Sequence, residues 1–156
     1  MARKYTRKAL YNLKDFLDDN LSTFVTTANT NNSTSIVEPK YFHVGVSKTR
    51  KYPRIEILPN VNEHDYGFEE VPLTDPWLNY NVAILITHSN NNLQVVEDTL
   101  FIYDEAMNLL IEDDNTLGGL FVDAQLGDVD YSTIMENEET RTMLQQLLVP
   151  LILKSI

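Results

Sequence analysis

Histidine and cysteine are the side chains that most often bind transition metals or act as activated nucleophiles in proteins. This chain of 156 residues contains no cysteine, which excludes disulfides, thiolate nucleophiles and cysteine-based metal sites. Its three histidines, His43, His64 and His88, lie in separate segments, and no two of them have the short spacing of zinc ligands on one helix. Glu63 and Asp65 flank His64, but no further ligand follows nearby. We therefore predict that the protein has no metal site.

The other motifs with known chemistry are incomplete. Asp113, Asp114 and Asn115 resemble a fragment of a calcium loop, but the alternating acids, central glycine and final glutamate of an EF-hand are missing. Gly118 and Gly119 lack the lysine and the spacing of a phosphate-binding loop. Adjacent carboxylates arise readily in a chain with 23 Asp and Glu, so they indicate no acid–base pair. We predict that the protein is not an enzyme and has no catalytic residues and no cofactor.

The charges are distributed unevenly along the chain. The net charge is −11 at pH 7, and ten of the 12 Lys and Arg lie in the first 54 residues. Residues 55–140 contain no Lys or Arg but nineteen Asp and Glu. Such a segment repels phosphates, which excludes it as a surface for gripping nucleic acid. Three interpretations remain: a solvated surface that keeps the chain soluble, a surface that must not adhere to DNA, or one that meets a basic partner.

Two amphipathic helices are predicted from apolar residues at spacings of three and four. The first covers about residues 4–25 and the second about residues 93–111. Between the first helix and the first strand, the Asn- and Thr-rich residues 26–35 are predicted to form a mobile polar connector. Residues 59–76 are predicted to form a long irregular loop, a kind of segment that is usually functional or lies between subunits.

Alternating apolar and polar residues predict the first strands. Residues 42–46 and 53–57 are expected to pair as a β-hairpin around a polar turn at residues 48–51. Residues 77–87 are apolar on both faces in their middle, which is typical of a central strand.

Two further strands are predicted at residues 120–126 and 128–135. Residues 140–156 fit either a helix or a β-hairpin that ends in a long strand. We favour the strand, with Pro150 at a sheet edge or in a bulge. The order of elements predicts a single α+β domain over residues 1–156, with a largely antiparallel, mixed sheet and two main helices on one face. No apolar run approaches the roughly 20 residues of a membrane helix, so we expect no membrane association.

Several features follow one another in a characteristic order. They are an amphipathic helix at residues 9–25, the strand Tyr-Pro-Arg-Ile-Glu-Ile at residues 52–57, a second helix continuing into residues 115–120, and residues 128–131 before a terminal apolar strand. In this order, over nearly the whole chain, the protein resembles the tail terminator and tail-completion (neck) proteins of tailed bacteriophages. Residues 26–35 and 59–76 match no element of that family.

The resemblance implies a structural virion protein of the viral tail or neck, assembled in the host cytoplasm. Subunits of this family close into a hexameric ring that caps the finished tail tube and stops its polymerisation. The ring also offers a head–tail joining surface to the head connector. The expected partners are therefore further copies of the chain, the tail tube protein and the neck proteins, while DNA passes through during ejection without specific binding.

Together with the charge pattern, the resemblance suggests two sets of candidate residues. Acids near the second helix end and the following strands are expected to line the DNA passage: Glu112, Asp113, Asp114, Asp128 and Asp130. Cations near the N-terminus and before the acidic segment are expected to contact neighbouring subunits: Arg3, Lys4, Arg7, Lys48, Arg50 and Lys51.

Three alternatives remain open at this point. A small acidic protein without cysteine is also typical of DNA mimics that inhibit a nucleic-acid enzyme, although the basic N-terminus does not fit that class. A head-completion ring protein would share the neck location. A small enzyme could use carboxylates that no motif reveals. Light scattering separates a hexameric ring from a monomeric or dimeric inhibitor.

Overall fold

The computed structural model describes residues 3–59 and 78–155, which form two helices and a mixed sheet of seven strands. The α+β prediction is therefore confirmed. In chain order the elements are α1 (Arg3–Asn32), β1 (Tyr41–Val44), β2 (Arg54–Pro59), β3 (Leu78–Asn90), α2 (Leu93–Asp113), β4 (Asp123–Leu126), β5 (Asp130–Tyr131), β6 (Met135–Asn137) and β7 (Thr142–Ser155). The predicted loop at residues 59–76 lies outside the described residues, except for Pro59 at the end of β2.

The centre of the sheet is the antiparallel pair β3 and β7. Thirteen residue pairs join these strands, from Leu78 opposite Ser155 to Asn90 opposite Met143. On the other side of β3 lies β2, followed by β1 at one edge of the sheet. On the other side of β7, the short strands β4, β5 and β6 pair in succession and form the second edge. The prediction that β3 is central is thus confirmed.

Both helices cover one face of this sheet, as predicted. Alternate strand residues point to that face, because successive side chains of a strand point to opposite sides. These residues are fully or almost fully buried: Ile55, Ile57, Val82, Ile84, Ile86, Leu147, Val149, Leu151 and Leu153. The stripe of α1 that meets them recurs at spacings of three and four: Leu10, Leu13, Leu17, Leu21, Val25 and Ala28. The apolar side chains that recur every second residue in the strands thus pack against those that recur every three or four residues in α1, and together they form one continuous core.

The predicted connector at residues 26–35 is wrong over residues 26–32, which continue α1. Val25 and Ala28 are buried, so tertiary packing outweighs the modest helix propensity of Asn and Thr. Threonine hydroxyls in this stretch also donate to carbonyls one turn earlier, at 3.1–3.3 Å. At the helix end, Asn32 Nδ2 donates to Glu105 Oε2 of α2 at 2.6 Å, which ties the two helices together.

The predicted hairpin between residues 42–46 and 53–57 is also wrong, because β1 and β2 are parallel. Alternation of side chains indicates a strand but not its direction. The connection, residues 45–53, therefore has to return to the beginning of β2. It does so on the sheet face opposite the helices, where the backbone N–H of Ser47 donates to the Glu56 side chain. This crossing connection shapes one edge of the sheet.

The terminal segment is the long strand β7, as favoured. Pro150 lies where the ladder on the β4 and β5 side is interrupted by an extra residue, because residues 127–129 stand opposite only Val149 and Pro150, as in a bulge. The N–H and C=O of a strand residue point to the same neighbour. The Pro150 carbonyl accepts from Gly127 N–H at 2.9 Å, so its missing donor also points away from β3. On that side β4 has ended and β5 has not yet begun. The missing donor of Pro150 therefore removes no hydrogen bond from the ladder between β7 and β3.

Candidate functional site

The two edges of the sheet carry opposite charge. Residues 40–54, here called the basic edge, include β1 and its connection to β2 and contain five Lys or Arg and no Asp or Glu. Residues 123–139, here called the acidic edge, include β4, β5 and β6 and contain six Asp or Glu and no Lys or Arg. The strands β1 and β4–β6 lie at opposite edges of the sheet, but the connection after β1 and the β6–β7 hairpin line one groove.

A buried carboxylate holds the basic edge in its conformation. The Glu56 side chain is 2% exposed and lies on the face away from the helices. It accepts from Ser47 N–H at 2.5 Å and from Arg54 Nε at 3.1 Å. Arg54 Nη1 in turn donates to the carbonyl of Thr49 at 2.6 Å. The residues at both ends of the connection are therefore fixed by one internal ion pair.

The other cations of the basic edge remain at the surface. Lys48, Arg50 and Lys51 are exposed, and the Lys51 ammonium lies 5.7 Å from the centre of the Tyr41 ring. The same connection lines an open groove of about 680 Å³ together with residues of the β6–β7 hairpin, among them Glu136. These cations are therefore accessible at the surface, above the buried ion pair, and their contact with neighbouring subunits stays a prediction.

Helix α2 positions the acidic edge through Tyr131. The Tyr131 hydroxyl donates to Asp104 Oδ2 at 3.2 Å, and its ring lies 5.3 Å from that of Phe101. Burial raises the pKa of Asp104, although the hydrogen bonds from Tyr131 and Asn108 partly oppose that shift. Burial and the neighbouring Asp104 carboxylate raise the pKa of Tyr131. The short strand β5 is thus anchored to α2 while its flanking carboxylates stay exposed.

The five acids predicted to line a DNA passage lie at two separate places. Glu112 and Asp113 are exposed at the C-terminus of α2. The segment that follows them is linked to β4, because the Asn115 side chain donates a hydrogen bond to Asp123. The remaining two exposed acids of the prediction, Asp128 and Asp130, lie further along the edge. Asp123 pairs with Lys154 and Asp130 with Leu148. These partners are six residues apart on β7, which corresponds to about 20 Å.

Asp114, the fifth predicted acid, has a local structural role. It accepts from the Thr116 hydroxyl at 2.5 Å and from the backbone N–H groups of Thr116 and Gly118 at 2.9 Å. These hydrogen bonds, led by that of the Thr116 hydroxyl, lower the pKa of Asp114. Gly118 has a φ of +71°, and a β-carbon there would lie 3.1 Å from the Phe16 ring. The glycine pair therefore closes a turn against α1.

The predicted basic contacts also divide into two groups. Arg7 is exposed on α1, with its guanidinium 4.7 Å from the centre of the Tyr11 ring. Arg3 and Lys4 belong to the first turn of α1, and their side chains lie outside the described part of the chain. The other three predicted residues, Lys48, Arg50 and Lys51, belong to the basic edge described above.

Of the histidines, His43 is exposed on β1, His64 lies outside the described residues, and His88 is buried at the end of β3. His88 is 6% exposed, and its Nδ1 has no hydrogen-bond partner within residues 3–59 and 78–155. Burial lowers the pKa of His88, because the charged form is poorly solvated there. Within the same residues, no three His, Asp or Glu side chains converge as metal ligands would.

None of the described helices combines the length and the apolar composition needed to cross a bilayer. A comparison with protein-family models and with curated proteins gives no match. The arguments for function therefore rest on the distribution of charged residues over the described surface.

The buried ion pair predicts a large loss of stability for Glu56→Gln. The amide cannot replace the charge and leaves the Arg54 guanidinium poorly compensated, so we expect the free energy of unfolding to fall by about 2–4 kcal/mol. Urea denaturation measures this change. The exposed pair of Lys14 and Asp15, at 3.2 Å, supplies the control: Asp15→Asn is expected to cost less than about 1 kcal/mol. Similar small losses in both variants would contradict the supporting role of Glu56.

The buried His88 predicts a loss of stability in mild acid. Its pKa is lower in the folded state than the ordinary value of 6.5, so the unfolded chain binds the proton first as pH falls. The stabilisation is complete above about pH 6.5 and is lost below it, at up to about 1.4 kcal/mol per pH unit for one proton. Denaturation between pH 7.5 and about pH 5 is expected to show a shallower loss for His88→Leu than for the wild type. The exposed His43→Leu variant serves as control, and an unchanged slope in His88→Leu would refute the prediction.

Proposed function

We propose that the protein is a structural subunit of a phage tail terminator or neck ring, without enzymatic activity. In this proposal, six copies close into a ring that caps the tail tube, stops its polymerisation and presents the surface that joins the head connector. The ring forms in the host cytoplasm and remains in the virion at the tail or neck. DNA crosses the ring during ejection without specific binding.

The observation that carries this proposal is the uniform negative charge of residues 78–140. Residues 78–140 contain thirteen Asp or Glu and no Lys or Arg, and seven of these acids are exposed. A surface of this kind repels a duplex over the Debye length, about 8 Å in physiological salt. Cations on such a surface would instead make salt-dependent contacts with phosphates. The charge pattern therefore suits a wall that DNA passes without adhering.

Glu112 and Asp113 are the strongest candidates for this wall. Both are exposed in the last turn of α2, where the helix dipole disfavours acids by about 0.3–1 kcal/mol each. Folding alone favours neutral or basic residues there, so these carboxylates fit a requirement outside the subunit. Repulsion of DNA in a central passage is such a requirement. The cations at Arg3, Lys4, Arg7, Lys48, Arg50 and Lys51 are proposed to contact neighbouring subunits or an adjoining ring.

Electron microscopy tests the ring. We expect the purified protein, added to tubes polymerised from the tail tube protein of the same genome, to form six-fold rings at one tube end. Tube length is expected to fall as the protein concentration rises, because capped ends no longer grow. Uncapped tubes of unchanged length would refute the terminator role. A monomer that instead binds a basic nucleic-acid enzyme, seen by light scattering, would support the DNA-mimic alternative.

DNA ejection tests the lining of the passage. Virions that carry Glu112→Lys with Asp113→Lys are expected to eject DNA more slowly at low salt and to recover as salt rises, because the added phosphate contacts are screened. The matched control carries the same change of charge on α1, Asp18→Lys with Asp19→Lys, where both residues are exposed. Ejection kinetics from purified virions give the comparison. Equal rates in the two variants would place Glu112 and Asp113 away from the passage.

A further inference from the structure

We propose that the groove between the connection after β1 and the β6–β7 hairpin binds a short, extended peptide that carries carboxylates and apolar side chains. The occupant is a segment of a partner protein with this composition. The inference goes beyond the proposed function, because it specifies a ligand for Lys48 and Arg50 that binds a single copy whether or not a ring forms. The volume of the groove, about 680 Å³, lies within the range of ligand pockets, roughly 300–1,000 Å³.

The connection supplies the groove with cations that have no partner. Lys48 and Arg50 line the groove and are exposed. Neither forms an ion pair with a carboxylate of residues 3–59 or 78–155, whereas Arg54, which also lines the groove, is compensated by the buried Glu56. A carboxylate that meets Lys48 and Arg50 therefore gains charge-assisted hydrogen bonds without breaking an existing pair.

The hairpin places no opposing carboxylate in the groove. Met135 lies opposite Leu144, and opposed residues of paired strands point to the same face of a sheet. Leu147 is buried under the helices, so Leu144, three residues earlier, points to the face away from them. Glu136 lies opposite Met143 and therefore points to the helix side. Although Glu136 borders the groove, its charge is directed away from it.

Apolar surface accompanies the cations. Met135 is 49% exposed, and Leu144 and Tyr52 in the same groove are half-buried. A methionine side chain adapts to ligands of different shape. Binding sites commonly combine such apolar contact area with a few polar groups that fix the orientation of the ligand. The groove can thus receive an apolar side chain while a neighbouring carboxylate meets the cations.

The connection is also held in place before any ligand binds. Ser47 N–H donates to the Glu56 side chain, and Arg54 Nη1 donates to the Thr49 carbonyl. The hydroxyl oxygens of Ser47 and Thr49 accept from the N–H groups of Thr49 and Lys51, both at 3.2 Å. Among the described residues neither hydroxyl hydrogen has an acceptor, which leaves both for a carboxylate. An ordered site of this kind loses little conformational entropy on binding.

The surroundings of the groove favour a peptide over a nucleic acid. The tip of the β6–β7 hairpin, residues 136–141, carries three acids and one cation. A polynucleotide has a charge at every phosphate, so a strand that extends past the hairpin is repelled there. A short peptide places carboxylates only where Lys48 and Arg50 receive them.

Fluorescence anisotropy tests the groove, with the peptide Asp-Leu-Asp-Leu-Asp and an uncharged dye as the probe. We expect saturable binding to the wild type at low ionic strength, and weaker binding as salt is added. Lys48→Gln with Arg50→Gln is expected to weaken binding by about tenfold, because charge-assisted hydrogen bonds are lost. Met135→Gln is expected to weaken it by about threefold, because apolar contact is lost.

The control variant is Lys8→Gln with Lys14→Gln. It removes the same number of cations from α1, on the other side of the sheet from the groove, and is expected to bind like the wild type. Circular dichroism verifies that every variant is folded. Three control probes accompany the peptide: one with Asn in place of Asp, one with Gly in place of Leu, and a strand of ten thymidines. All three are expected to bind more weakly than the peptide.

Each remaining outcome overturns the inference. An absence of saturable binding does so, as does binding that Lys48→Gln with Arg50→Gln leaves unchanged. Equal affinity for the Gly-containing probe means attraction by charge alone, and tighter binding of the thymidine strand means a nucleic-acid surface. None of these results affects the ring, which is tested by the capping of tail tubes. Uncapped tubes together with specific peptide binding would instead overturn the proposed function and leave the groove as inferred.

Discussion

The antiparallel ladder between β3 and β7 is the constraint on which the rest of the molecule depends. Because the helices bury one face of both strands, a shift by a single residue would turn the buried side chains of β7, namely Leu147, Val149, Leu151 and Leu153, away from the core. The thirteen pairs therefore fix the position of everything attached to them. β2 and β1 can extend the sheet only beyond β3, and β4, β5 and β6 only beyond β7. The connection after β1 nevertheless reaches the β6–β7 hairpin across the free face of the sheet, where both line one groove.

The same ladder explains why the two edges are supported differently. β1 joins the sheet in parallel, so its connection has to cross the free face, and a buried Glu56 receives that connection. The opposite edge consists of three short strands with irregular links, and Tyr131 anchors it to α2. A buried carboxylate is tolerated because Arg54 and a backbone N–H compensate it. At each edge, a hydrogen bond beneath the surface, to Glu56 or to Asp104, holds the segment that carries the exposed charges.

Periodicity alone predicted α2 and β3, whereas the apolar run of β7 fitted a helix as well as the favoured strand. It missed the last turns of α1, because Asn and Thr are weak helix formers and the helix continues there through the packing of Val25 and Ala28. It also missed the parallel direction of β1, which alternation does not encode. Glu56 looked like an ordinary solvent-facing strand residue, since nothing local indicates that residues 45–53 cover it. The charges were evident from the sequence, but the groove that brings Lys48 and Arg50 near Glu136 depends on strand order and on the crossing connection, which are properties of the whole fold.

Pro150 has a consequence for the chain while it is still being made. The seven residues from Leu147 to Leu153 are apolar and uncharged, a composition that promotes cross-β aggregation when a segment is exposed. A proline in the middle of the segment interrupts the hydrogen bonding that a growing fibril requires. In the native sheet its missing donor points to the break between β4 and β5, so the protection does not weaken the central ladder. A nascent chain is thus protected from aggregation until β7 pairs with β3.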